Sequence, residues 1–187
     1  GYGFDPSSSE HIADVLIEVG QKYAVSAAEL MEAYSRAGAA LNATNTSFEK
    51  SAGLIAAANA SVQNSSIVGT ALKTISARIR KSKTDLDELG ESIDDLAKPW
   101  SAYAEEIKAL TGFNIMIEGS TTQFKDLYDI FDGLAKVWND LGDNAETAQS
   151  RVAEILGGTR QYKVISSILT NWSDATYAFS YSIVGAV

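Results

Sequence analysis

Apolar residues recur three and four positions apart along most of the chain, the period of helices that turn one face inward. From Ile67, the residues Val68, Ala71, Leu72, Ile75 and Ile79 share a face, while Lys73, Thr74, Ser76, Arg80 and Lys81 point elsewhere. Upstream, Ile12, Val15, Leu16, Val19 and Tyr23 predict a first helix with Ser9 as its cap. Ala27, Leu30, Tyr34, Ala37 and Leu41 predict a second, opened by the capping box of Ser26 and Glu29. Its small residues, Ala37, Gly38, Ala39 and Ala40, suit the close approach of another helix. Thr46 with Glu49 repeats the capping signature before an alanine-rich third helix through Phe48, Ala52, Ile55, Ala58 and Val62, ending near Asn64.

In the last turn of the helix from Ile67, Arg78, Arg80, Lys81 and Lys83 gather where cations meet the negative end of the macrodipole. Thr84 with Asp87 then starts a short acidic helix that ends between Gly90 and Ala97. Beside Asp85, Asp87, Glu88 and Glu91, the basic group reads as a solvated helix end. Pro99 suits the first turn of a helix whose inner face is Trp100, Tyr103, Ile107 and Leu110. From Phe124 follows the most regular amphipathic stretch, with Leu127, Tyr128, Phe131, Leu134, Ala135, Trp138 and Leu141 inward. Asp143 caps a helix that Gly157 and Gly158 stop, and Thr159 caps its antiparallel neighbour, which carries Tyr162, Ile165, Ile168, Leu169 and Trp172.

Two stretches admit strands. Phe113 to Glu118 alternates between Gly112 and Gly119, and would need a partner from the chain end to form more than a lone extended segment. Tyr177, Phe179, Tyr181 and Ile183 also alternate, although Tyr177, Tyr181 and Val184 fit one helical face equally well. The fold class that follows is all-α, a multi-helix bundle or array of short antiparallel helices with at most one minor pair of short strands. Residues 1–9 read as a flexible lead-in, 10–98 as one helical half and 99–187 as another, packed as one compact domain.

Composition changes this picture mainly by exclusion. The chain has 187 residues, 45% of them apolar, which suffices for a core, and its mean hydropathy is near zero. Asp and Glu outnumber Lys and Arg by 24 to 15, for a net charge of -9, which argues against specific nucleic-acid binding. With no cysteine there is no disulfide framework and no thiolate site. No apolar run reaches the roughly 20 residues of a membrane helix. The chain starts without Met and without a signal-peptide pattern, so a segment of a longer protein is expected.

Candidate chemistry is sparse. His11 is the one histidine and has no partner that spacing specifies, so it reads as a surface residue. Asp94 with Asp95, and Asp126 with Asp129, lack the alternating oxygen ligands of a hard-cation loop and read as solvated faces. Gly157, Gly158, Thr159 and Arg160 suggest an anion loop, but the Walker spacing is absent and no strand precedes them. Arg160 and Gln161 are instead suited to clamp the helical hairpin by bonding to preceding carbonyls. No catalytic residue, cofactor or metal site is assigned.

The order of these blocks carries more than any one of them. GTALKTISARIR from Gly69, the acidic DLDELGE, ALTGFNIMIEG, YDIFDGLAKVW and ILGGTRQYKVISSIL, with AVSAAELMEAYSRAGAAL upstream, resemble the core region of phage tail tape measure proteins. The resemblance runs over most of the chain. On it, Gly69, Leu72, Ile75, Arg78, Ile79, Arg80, Trp138, Gly157, Gly158, Arg160 and Gln161 are structural family-motif positions. Thr159 stands where many members have Lys. The resemblance implies a non-enzymatic protein in the virion tail lumen, made in the bacterial cytoplasm, that helps set tail length and leaves with the genome. Implied partners are the tail tube, tail chaperone and tail-tip proteins, with self-association and host-envelope contact as further options. A host-side interaction module and, last, a cell-wall hydrolase segment are the alternatives.

Overall fold

The computed structural model describes residue 2, residues 8–23 and residues 25–184. Its helices are α1 (Ser9–Lys22), α2 (Ala27–Ala43), α3 (Phe48–Val62), α4 (Ser65–Arg80), α5 (Lys83–Leu89), α6 (Trp100–Thr111), α7 (Leu127–Val137), α8 (Ala145–Gly157), α9 (Tyr162–Thr170) and α10 (Trp172–Val184). Short 3-10 turns lie at Asp94–Leu96 and Gly142–Asn144. The fold is an all-α helix array, without strands among the described residues.

Helix α3 is the centre of it. Every residue from Ser51 to Asn59 is buried, on all sides of the helix, and α2, α4, α7, α9 and α10 pack around it. A helix surrounded in this way must be apolar all round and narrow. Its alanines provide both properties, and Gly53 lets α10 approach so closely that a Cβ there would lie 2.6 Å from the Ala175 carbonyl oxygen. Ser167 of α9 adds a polar tie, its hydroxyl lying 2.8 Å from the Ala58 carbonyl oxygen and 3.0 Å from that of Ala57. On the other side α2 lies along α4, where a Cβ on Gly69 would lie 3.0 Å from the Ala33 carbonyl oxygen.

The helix starts are partly as expected. Ser26 and Glu29 form the full capping box, with Glu29 N donating to Ser26 Oγ at 3.1 Å and Ser26 N to Glu29 Oε2 at 2.7 Å. Ser26→Ala should therefore lower the unfolding free energy by about 1 kcal/mol, read from the urea midpoint, because it leaves an end N-H unmet on an exposed turn. Elsewhere a neighbour takes the expected cap's place. Ser47 caps α3 rather than Thr46, accepting from Lys50 N at 3.1 Å, while the buried Thr46 hydroxyl accepts from Leu127 N at 3.0 Å. Ser82 caps α5 instead of Thr84. Neither Ser9 nor Asp143 caps α1 or α8, and α9 starts after Gln161 without a side-chain cap, so Thr159 does not serve. Asn64 and Asp126 do cap α4 and α7.

The strand reading of residues 113–118 reduces to a single antiparallel bridge between Met116 and Phe124, with Ile117 N bonded to Gln123 O at 2.9 Å. The partner comes from the next few residues and not from the chain end. Ile115 and Met116 are both buried, whereas a regular strand would turn one of them outward. The chain end is helical, and its buried face is Ala175, Ala178 and Ser182. Tyr177 and Tyr181 are exposed, because α3 lies too near for aromatic rings to fit between. Tyr162 is likewise exposed, and Trp172 begins α10 after a break at Asn171 instead of ending α9. Of the expected lead-in, Tyr2 packs edge-on to Phe48 with ring centroids 5.6 Å apart. Residues 1 and 3–7 lie outside the described residues, as do residues 185–187.

Candidate functional site

The most elaborate polar site joins α4 to α8. In α4 the apolar positions Ala71, Leu72 and Ile75 are followed by Arg78, which falls on the same face and is 1% exposed. Its guanidinium is therefore held inside the fold, where a charge needs hydrogen-bond partners; Nη1 and Nη2 have them, while the buried Nε has none among the described residues. Nη1 donates to Asp95 Oδ1 at 3.2 Å and Nη2 to Asp95 Oδ2 at 2.7 Å, a bidentate pair. Nη2 also lies 3.1 Å from Glu154 O and 3.0 Å from Ile155 O, carbonyls in the last turn of α8. That turn carries the negative end of the α8 dipole, so a cation is favoured there.

The surrounding residues fit this placement. Gly158 ends α8 at φ 76° and ψ -168°, a conformation open to glycine, and a Cβ there would lie 3.4 Å from Arg78 Nη1. Trp100 Nε1 donates to the Arg78 carbonyl at 3.1 Å. Tyr103 donates its hydroxyl to Asp95 O at 2.8 Å, which anchors the 3-10 turn beside the guanidinium. The Arg78 hydrogen bonds hold the Asp95 carboxyl below the usual carboxylate range.

Two expectations are corrected here. Arg78 is not part of a solvated basic end: it is buried, while Arg80 pairs with Asp85 at 2.6 Å. The carbonyls at the end of α8 are met by Arg78, from a distant helix, and not by Arg160 with Gln161. Arg160 is exposed and pairs with Glu91 at 3.6 Å, and Gln161 is buried just before α9. Gly157 is needed for closeness, since a Cβ on it would lie 2.7 Å from Gln161 Cβ and 2.8 Å from Ile165 Cδ1. Of the remaining motif positions, Leu72, Ile75, Ile79 and Trp138 are core residues, and Gly69 serves the α2–α4 contact away from this junction. Asp95 and Trp100 were not singled out for this site from the sequence. An arginine on the apolar face of its helix was the available signal that some acidic partner had to exist.

Other charged groups are also more engaged than spacing suggested. His11 Nε2 lies 2.5 Å from Glu49 Oε1. Asp126 and Asp129 both pair with Lys50, at 2.7 and 3.2 Å, and so tie α7 to α3. Arg151 of α8 pairs with Glu106 of α6 at 2.7 Å, which lowers the Glu106 carboxyl below its ordinary value. Among the described residues, no group of three or more His, Cys, Asp or Glu side chains is placed to hold a metal, and no helix is long and apolar enough to cross a membrane.

The fold and this junction define an all-helical protein whose principal polar site fastens its own helices together. The chain belongs to the phage-related minor tail protein family, whose model matches residues 1–157. The matched span takes in α1 to α8 and ends one residue before Gly158. No curated protein and no solved structure matches the chain. Membership points to a structural role and to the virion tail.

Proposed function

We propose that this chain is a non-enzymatic segment of a tail tape measure protein, lying in the tail lumen and contributing to tail assembly, length determination and genome ejection. Family membership over residues 1–157 carries the reading. The order of blocks from Gly69 to Leu169, which resembles the core region of tape measure proteins, narrows it. Its partners in this role are the tail tube, the tail chaperone and the tail-tip proteins. The exposed Tyr177, Tyr181 and Ile183 on α10 favour a second reading, contact with another protein or with the host envelope.

In-frame deletion of the 187 codons from the parent gene, with tail lengths measured by electron microscopy, tests both. As a continuous helix the segment would span about 280 Å, at roughly 1.5 Å per residue, and tails should shorten toward that figure if the segment is part of a ruler. Tails of normal length that fail to infect would remove the ruler role and leave genome ejection or host contact. Normal tails with normal infectivity would exclude both.

A further inference from the structure

Residues 82–98, which hold α5 and the turn Asp94–Leu96, are attached to the body by a row of ion pairs and by few apolar side chains, Leu86, Leu96 and the partly buried Ile93. Leu86 and Leu96 are their fully covered side chains, whereas α3 buries nine residues in succession. The stretch carries Asp85, Asp87, Glu88, Glu91, Asp94 and Asp95 against Lys83 and Lys98. Cations of the body meet these carboxylates one by one. Lys73 pairs with Glu88 at 3.1 Å, Arg80 with Asp85 at 2.6 Å, Arg160 with Glu91 at 3.6 Å and Arg78 with Asp95 at 2.7 Å. Lys81 Nζ donates to Lys98 O at 2.8 Å, and Tyr103 holds Asp95 O as described. Breaks in the helical path flank the stretch, with Lys81 at φ 49° before it and Pro99 after it.

We propose that residues 82–98 form an electrostatically held strap that lifts from α4 and α8 as a unit while the α2–α4 and α3–α10 packing stays closed, and that its lifting uncovers Arg78. Cooperative segments with few buried apolar contacts open at lower free energy than the core. In three of the four ion pairs both side chains are in contact with water, so salt screens these most, while apolar burial in α3 is not weakened by salt. Ionic strength therefore separates strap from core.

Hydrogen–deuterium exchange on the intact chain, followed by mass spectrometry, tests this between about 0.01 M and about 1 M salt, where the Debye length falls from roughly 30 to 3 Å. Peptides covering residues 83–96 should exchange about tenfold faster or more at high salt, with peptides from α3 and α9 unchanged. The double variant Lys73→Gln, Arg160→Gln, which removes two of these pairs, should move the low-salt rate of the strap toward the high-salt one, with the core peptides still protected. The proposal is overturned if the strap peptides are as protected as α4 at both salt concentrations, if salt speeds all peptides alike, or if the double variant leaves the low-salt rate of the strap unchanged.

Discussion

Arg78→Ala should destabilise the chain by about 3–5 kcal/mol in urea unfolding, the largest loss expected of any polar substitution. It removes a long buried side chain and leaves a cavity, and it takes the donor from Ile155 O and from Asp95 together. Arg78→Met fills most of that space and removes the cost of holding a charge inside. It should therefore lose only about 2 kcal/mol, the share due to hydrogen bonds left unmade. Arg78→Lys should fall between the two, since an ammonium cannot reproduce the fork that spans Asp95 and the α8 carbonyls. A loss within about 1 kcal/mol for the alanine variant would show that the junction does not hold the fold together.

The same pair sets a direction for pH. Asp95 has its folded pKa depressed by Arg78, so its contribution to stability is complete above the unfolded value of about 3.9 and fades as pH falls through the folded value. The urea midpoint should be flat from neutral pH down to about 5 and drop below about 4, and Arg78→Met should flatten that acid limb. Because the Asp95 side chain is 45% exposed, water screens the pair and the acid effect should be modest.

Gly53→Ala is the second large effect, and its sign is diagnostic. Helix propensity alone predicts stabilisation by about 1 kcal/mol, since glycine is costly within a helix. The structure predicts the opposite, a loss of about 1–3 kcal/mol, because the new methyl would sit 2.6 Å from the Ala175 carbonyl oxygen and 3.4 Å from the Tyr128 ring. The contact is with backbone, so relief requires α10 to move away from α3. Trp172 reports on such a movement. Its ring packs on Tyr128 with centroids 4.9 Å apart, and its Nε1 donates to Asp132 Oδ1 at 2.7 Å. Its fluorescence should shift to the red in the variant. A stabilised protein with unchanged fluorescence would mean that α10 does not lie so close.

Much of the helical pattern was legible from spacing. The inner residues of α1, α2 and α7 follow the expected faces, and the Ser26 capping box forms as its two residues dictate. In α4 the expected apolar face is buried, but Thr74 and Ser76, expected on the wet face, are buried as well. Errors arose where neighbouring residues offer the same chemistry. Thr46 and Ser47 are both competent caps, and the choice falls to Ser47 because the Thr46 hydroxyl serves Leu127 N, 81 residues away. At the chain end, helix and strand patterns coincide over Tyr177 to Ile183, and small residues on the hidden face carry no strong hydrophobic signal.

The junction was half visible. Arg78, Gly157 and Gly158 stood out individually, but nothing local related an arginine in α4 to the carbonyls of α8, 76 and 77 positions onward. Asp95 was hidden by a neighbour of the same kind, Asp94, and by its place in an acidic run that reads as solvated.

By itself, then, the sequence determined the all-helical class, most helix bodies and the positions where small residues permit close approach, because helical period and glycine conformation depend on residues within a turn or two of one another. The tertiary structure alone decided which helix is surrounded, which face of α10 turns inward, which hydroxyl caps and which carboxylate meets the buried arginine. Each of those outcomes depends on competition among groups far apart in the chain, such as Ser167 with Ala57, 110 positions earlier, and the winner is set by packing distance.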